Sequence, residues 1–117
     1  MAYIDGCVMP VPVANKEAFI AHAHVFRAVA LKHGAEATME CWADDVKEGV
    51  VTSLPKAVDL QDGEAVVFSW IVWPSKEARD EGWAKVMDDA AFADGNNPMP
   101  FDGKRMIFGG FNALDLG

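Results

Sequence analysis

Across residues 65–73, eight of nine positions are apolar, and Ser69 is the one polar break. Successive side chains of a strand point to opposite faces. Val66, Phe68, Trp70 and Val72 therefore share one side, and Val67, Ser69, Ile71 and Trp73 the other. A strand with one wet face alternates apolar with polar residues. This one does not, so the pattern predicts a central strand covered on both sides.

Other strands flank it. Residues 3–13 predict a strand weakened at its far end by Pro10 and Pro12, which give a ladder no N–H. Residues 37–44 alternate, with Thr38, Glu40, Trp42 and Asp44 on one face and Ala37, Met39, Cys41 and Ala43 on the other. Residues 55–60 predict a short strand, and Asp62-Gly63 suits a tight hairpin turn into the apolar strand. A last strand over 104–111 contains Gly109-Gly110, whose lack of side chains allows a close neighbour.

Two segments carry helical periodicity. The first is expected to start at Asn15 as N-cap and to stop at Gly34, a natural C-cap residue. Phe19, Ala23, Phe26, Val29 and Ala30 form its core stripe together with His22 and His33, and Ile20, His24, Arg27 and Leu31 form a second flank. Those exposed aliphatics are unremarkable singly but are also what a contact surface looks like. The second helix begins after Ser75 as N-cap and runs to about residue 91. Gly82, Trp83, Val86 and Ala90 make its stripe, with Arg79 at the centre. Residues 93–100 are turn chemistry throughout.

The order β-α-β-(β)-β-α-β predicts an α+β fold over one domain spanning 1–117, a split βαβ arrangement in which an antiparallel sheet carries two helices on one face. The helices cover one side of the apolar strand. A chain of 117 residues has few elements left for the other side, so a second copy is the expected cover and the protein is expected to be a homodimer.

Net charge narrows the partners. Eighteen acidic against 10 basic residues leave −8. That charge repels phosphate backbones and anionic lipid, so neither nucleic acid nor a membrane surface is expected as partner. Cys7 and Cys41 have no C-x-x-C spacing, no secretion signal opens the chain, and no apolar stretch approaches a membrane span. Reduced thiols in a cytoplasmic protein follow.

Several stretches carry a resemblance. They are Tyr3-Ile-Asp-Gly6, Glu40-Cys-Trp-Ala-Asp-Asp45, Val66-Val-Phe-Ser-Trp70, Trp73-Pro-Ser-Lys-Glu77 with Arg79-Asp80, and Met99-Pro-Phe-Asp-Gly-Lys-Arg-Met-Ile107 running into Gly109-Gly-Phe111. Together they resemble the YbaA-like family of small bacterial proteins over almost the whole chain. The resemblance implies a ferredoxin-like domain of the dimeric α/β-barrel type. It implies no activity.

The chain lacks the phosphate-binding, dinucleotide-binding, serine-hydrolase and zinc-protease motifs, and no cofactor or metal is expected. His22 and His24 stand two apart on a helix, which turns them about 200° away from each other at ~100° per residue, so they cannot share an ion. His22 alone faces the sheet. It is either a hydrogen-bonded core histidine or, if a polar cavity adjoins it, a general acid or base. His33 is expected to meet free carbonyls at the helix end. Arg79, centred in an apolar stripe, needs acceptors. Glu40, Asp44 or Asp102 are available for a structural pair; the alternative is a carboxylate ligand. Trp42 and Trp70 are the expected walls of any ligand pocket.

Two functions stay open: a small-molecule-binding or structural homodimer, and a cofactor-independent, monooxygenase- or isomerase-like enzyme. The enzyme would act on a small aromatic or carboxylate compound between sheet and helices, with His22 as acid or base. That second reading rests on fold resemblance alone.

Overall fold

The computed structural model describes residues 2–93 and 95–117. Four strands, β1 (Tyr3–Pro12), β2 (Ala37–Trp42), β3 (Glu64–Trp73) and β4 (Ile107–Asn112), form one antiparallel sheet in the order β2-β3-β1-β4. Helices α1 (Lys16–Lys32) and α3 (Lys76–Met87) pack on one of its faces, and a single helical turn, α2 (Leu54–Ala57), separates β2 from β3. The fold is α+β with an open antiparallel sheet. No helix among the described residues is long and apolar enough to cross a membrane.

The register shows why the apolar strand is apolar on both sides. Pairings Tyr3 with Trp73, Asp5 with Ile71, Cys7 with Ser69 and Met9 with Val67 place these residues under the helices. There Tyr3, Ile71 and Trp73 pack with Ala30, Phe26 and Trp83, while Met9, Val11 and Val67 pack with Phe19 and Trp42. Trp73 is fully buried, and α3 approaches it so closely that a Cβ at Gly82 would fall on its ring and 2.9 Å from the His33 carbonyl oxygen. Alanine is the better helix former by about 1 kcal/mol, but forcing a methyl group into a filled core costs about 1–3 kcal/mol, so glycine here serves the packing. Gly110 does the same on β4, where a Cβ would collide with the Tyr3 ring.

The opposite face is covered at one end only. Val58, behind α2, packs there with Val8 and Val66, and Leu60 and Ala43 adjoin them. Beyond that patch the side chains are open to solvent: Met39, Phe68, Ile107 and Phe111 are 49%, 43%, 44% and 61% exposed. Phe68 and Trp70 meet edge to face there, with centroids 5.7 Å apart.

Three local expectations need correction. Residues 55–60 are no strand: Ser53 accepts a hydrogen bond from the Lys56 N–H and Pro55 stands in the first turn, so the segment closes as α2. Asn15 does not cap α1. A 3₁₀ turn over Val13–Asn15 feeds directly into the helix, and the Asn15 amide instead donates to the Pro100 carbonyl oxygen at 2.8 Å. Helix α3 ends at Met87 rather than near 91, with a separate 3₁₀ turn over Ala90–Phe92. Ser75 caps α3 as expected, accepting from the Ala78 N–H. The turn region 93–100 includes Asp94, which lies outside the described residues.

Candidate functional site

A groove of about 360 Å³ runs between α1 and the edge strand β2. Its helical wall is the second flank of α1, with Ile20, His24 and Arg27 beside Phe19 and Ala23; its floor is β2 from Thr38 to Trp42. The size falls within the usual range for small-ligand sites, and apolar walls with a few polar groups are their usual chemistry. Lys16 lies over the Trp42 ring, 5.0 Å from its centroid, at one end. Near the other end the Arg27 guanidinium donates to the Thr38 carbonyl oxygen at 3.0 Å.

Glu40 sits between those ends. The alternation of β2 turns it toward the helices, and it pairs in register with Ser69, which in turn pairs with Cys7. Three polar side chains thus form a row under α1. Burial pushes the Glu40 carboxyl up to about 7, with the Ser69 hydroxyl pulling the other way, and its Oε2 is buried with no hydrogen-bond partner. Burial likewise pushes the Cys7 thiol up to about 11, which leaves it a poor nucleophile at neutral pH.

His22 is elsewhere. Its ring lies against Phe19 and Phe101, centroids 6.5 and 6.4 Å away, beneath the segment that returns toward β4. Its Nδ1 is buried and unpartnered, and burial lowers its pKa, opposed by the Asn97 side chain and the Pro98 carbonyl, which favour the protonated ring. It does not line the groove; His24 does. The two histidines occupy different surroundings, and among the described residues no cluster of three or more His, Cys, Asp or Glu side chains is placed to hold a metal ion.

Arg79 finds a partner that was not among those expected. Its Nη2 donates to Asp5 Oδ1 at 2.8 Å and its Nε to both carboxylate oxygens at 3.2 Å. Asp5 also accepts from the indole N–H groups of Trp83 and Trp73, at 2.8 and 2.9 Å. The Tyr3 ring lies 5.2 Å from the guanidinium carbon. Burial alone would raise the Asp5 carboxyl, but these donors outweigh it and hold the carboxyl below its ordinary range. Asp102, one expected partner, is bonded to Arg105 instead. His33 meets Asp89 Oδ2 at 2.8 Å rather than helix-end carbonyls. Trp42 lines the groove, whereas Trp70 faces the open side of the sheet, so the structure does not bring the two together in one pocket.

Glu40 as a site residue escaped the sequence reading, which used it only as a possible partner for Arg79. The signal was present: an acidic residue on the same strand face as Thr38 and Trp42 has to be buried against the helices.

Residues 2–103 match the family described as "Protein of unknown function (DUF1428)". The chain is 45% identical over 114 residues to "Uncharacterized protein YbaA" of Escherichia coli strain K12, covering 97% of each protein. The Shigella flexneri protein of the same name matches to the same extent. Neither description assigns an activity, and coverage of nearly the whole of each partner shows that this chain belongs to the DUF1428 family, with the YbaA proteins among its relatives.

Proposed function

We propose that this chain is a cytoplasmic small-molecule-binding protein, a single ferredoxin-like domain of the dimeric α/β-barrel type, whose ligand is a small aromatic or carboxylate compound held in the groove between α1 and β2. The observation that carries the reading is Glu40: a desolvated carboxyl, with one oxygen unpartnered, on the floor of a groove that Phe19, Ile20, Ala23 and Trp42 line with apolar surface and Lys16 and Arg27 flank with charge. Buried polar atoms are nearly always hydrogen-bonded in a finished structure. A ligand of groove size that hydrogen-bonds to this carboxyl is the simplest way to satisfy it. The cationic groups of Lys16 and Arg27 at the two ends favour an acidic ligand despite the net negative charge.

Thermal denaturation with benzoate, indole-3-acetate and phenylpyruvate tests this. A ligand at about 100 times its Kd stabilises by about 2.7 kcal/mol, a Tm rise of roughly 10 °C for a domain of this size. Trp42→Ala is expected to remove most of that rise while the ligand-free protein still melts cooperatively. A shift that survives Trp42→Ala undiminished, or no shift with any of the three, counts against the groove.

The open sheet face supports a homodimer. Met39, Phe68, Ile107 and Phe111 are exposed on that face, with Trp70 against Phe68, which is apolar surface of the kind that marks an interface, and a symmetric copy offers the same surface in return. Light scattering at micromolar concentration is expected to give about twice the 12.7 kDa chain mass, falling to the chain mass in Phe68→Glu. A wild-type protein that is cleanly monomeric there contradicts the pairing.

A further inference from the structure

We propose that a second copy completes the groove: the partner's β4 and the segment after it lie along the β2 edge, and the partner's Phe108, Leu114 and Leu116 form the outer wall. The inference rests on the homodimer and says which edges meet. Strands β2 and β4 are the two edges of the sheet. Proteins usually blunt an edge with charge, proline or a covering segment. On β4 they are missing: residues 106–114 hold no charged residue and no proline. Phe108 is 77% exposed there, and Leu114 and Leu116 beyond it are 80% and 90% exposed. On β2 the Thr38 carbonyl draws its donor from the Arg27 side chain, there being no strand beyond to supply one.

The side-chain faces agree. Phe108 pairs with Cys7, Cys7 with Ser69 and Ser69 with Glu40, so Phe108 stands on the helix side of the sheet, the side of the groove floor. Leu114 and Leu116 keep the same two-residue alternation. When two open faces pack about a twofold axis along the strands, β4 of each copy comes to β2 of the other. They meet antiparallel, because β2 and β4 are three antiparallel steps apart. Joining both pairs of edges closes the two sheets into one eight-stranded barrel with no edge left. The stagger of closure moves strands by whole pleats and leaves side chains on their own faces. The partner's apolar side chains then stand along the Thr38, Glu40 and Trp42 face, under the α1 flank of Ile20 and His24. An axis across the strands joins β2 to β2 and β4 to β4 instead. Charge selects the first arrangement. Lys16 and Arg27 border the groove and Asp115 lies between the two leucines, so unlike edges bring opposite charges together and like edges bring like charges together.

The test places a photo-reactive side chain at two exposed positions, Phe108→p-benzoylphenylalanine and Leu114→p-benzoylphenylalanine, in dimers assembled from isotope-labelled and unlabelled chains. Irradiation and peptide mass spectrometry are expected to show labelled-to-unlabelled cross-links from both positions to residues 16–27 or 36–42. Cross-links from either position to residues 107–116 of the other chain, or none between chains, overturn the edge pairing and leave a face-to-face homodimer intact. Wild-type protein that scatters light at the mass of one chain removes both. Phe108→Lys, at a side chain already in solvent, is expected to melt cooperatively and to raise the dimer dissociation constant at least about 10-fold, the equivalent of about 1.4 kcal/mol. An unchanged dissociation constant also overturns the pairing.

Discussion

Replacing Glu40 by glutamine is expected to stabilise the folded chain by about 2 kcal/mol at pH 8 and to change little at pH 5. The sign follows from proton counting. Burial lifts this carboxyl from its ordinary 4.5 to about 7, so between those values the native chain holds a proton that the unfolded chain has released. Stability then falls as pH rises, by up to about 1.4 kcal/mol per unit. Over the whole window that is roughly 3.4 kcal/mol, and the groove is open enough to water that screening brings the expectation down to about 2 kcal/mol. Glutamine does not titrate. Urea unfolding of both proteins at pH 5 and pH 8 checks this, and a stability difference that stays constant between the two pH values contradicts a perturbed Glu40. Asp5, Glu64 and Asp102 work in the opposite sense. Their carboxyls are held low, so what they contribute is present above their ordinary values and is lost only as pH falls through the lower native ones.

Asp5→Ala is expected to cost about 3 kcal/mol. The substitution leaves a guanidinium and two indole N–H groups without their shared acceptor. Breaking one side of a buried pair typically costs about 3–5 kcal/mol. Arg79 is a quarter exposed, so water recovers part of the loss and the lower end applies. Arg79→Met is expected to cost less, about 1–2 kcal/mol, because Asp5 keeps both indole donors and methionine fills the apolar stripe. The double variant should fall short of the sum of the singles, as residues in one network do. Ligand affinity in the groove should be unchanged throughout, since the Asp5 cluster lies under α3 and the groove under α1. A single Asp5→Ala within about 0.5 kcal/mol of wild type would mark the cluster as an ordinary surface pair.

The sheet was legible because its evidence is periodic. Alternation over residues 37–44 and near-continuous apolarity over 65–73 depend only on the two-residue repeat of a strand; the second stretch lies wholly in β3, and the first is strand from Ala37 to Trp42. The division of β3 into two faces was correct, and Ser69 does lie on the polar-tolerant side, opposite Glu40 and Cys7. The segment at residues 54–57 was misread because a four-residue helix has no period to detect; its cap, Ser53, and Pro55 decide it locally. The site was harder. Arg79 was visibly in need of acceptors, but its partner is 74 positions away on β1, and only register and helix placement bring Asp5 beneath it. His22 and His24 were correctly separated by helical geometry. Which of them met a cavity depended on where residues 97–101 fold back, and no local pattern encodes that. The flank containing Ile20, His24 and Arg27 was visible as a possible contact surface, and it is the groove wall.

The account stands on Glu40 being a ligand-facing carboxyl of the groove. The most direct measurement is a carbon-detected NMR titration that follows the Glu40 side-chain carboxyl from pH 4 to pH 9, with and without phenylpyruvate. The account predicts a midpoint near 7 in the free protein and a displaced resonance and midpoint once the ligand is bound. Phenylpyruvate binding that leaves the Glu40 signal and its midpoint unmoved, or a free-protein midpoint near the ordinary 4.5, would contradict it.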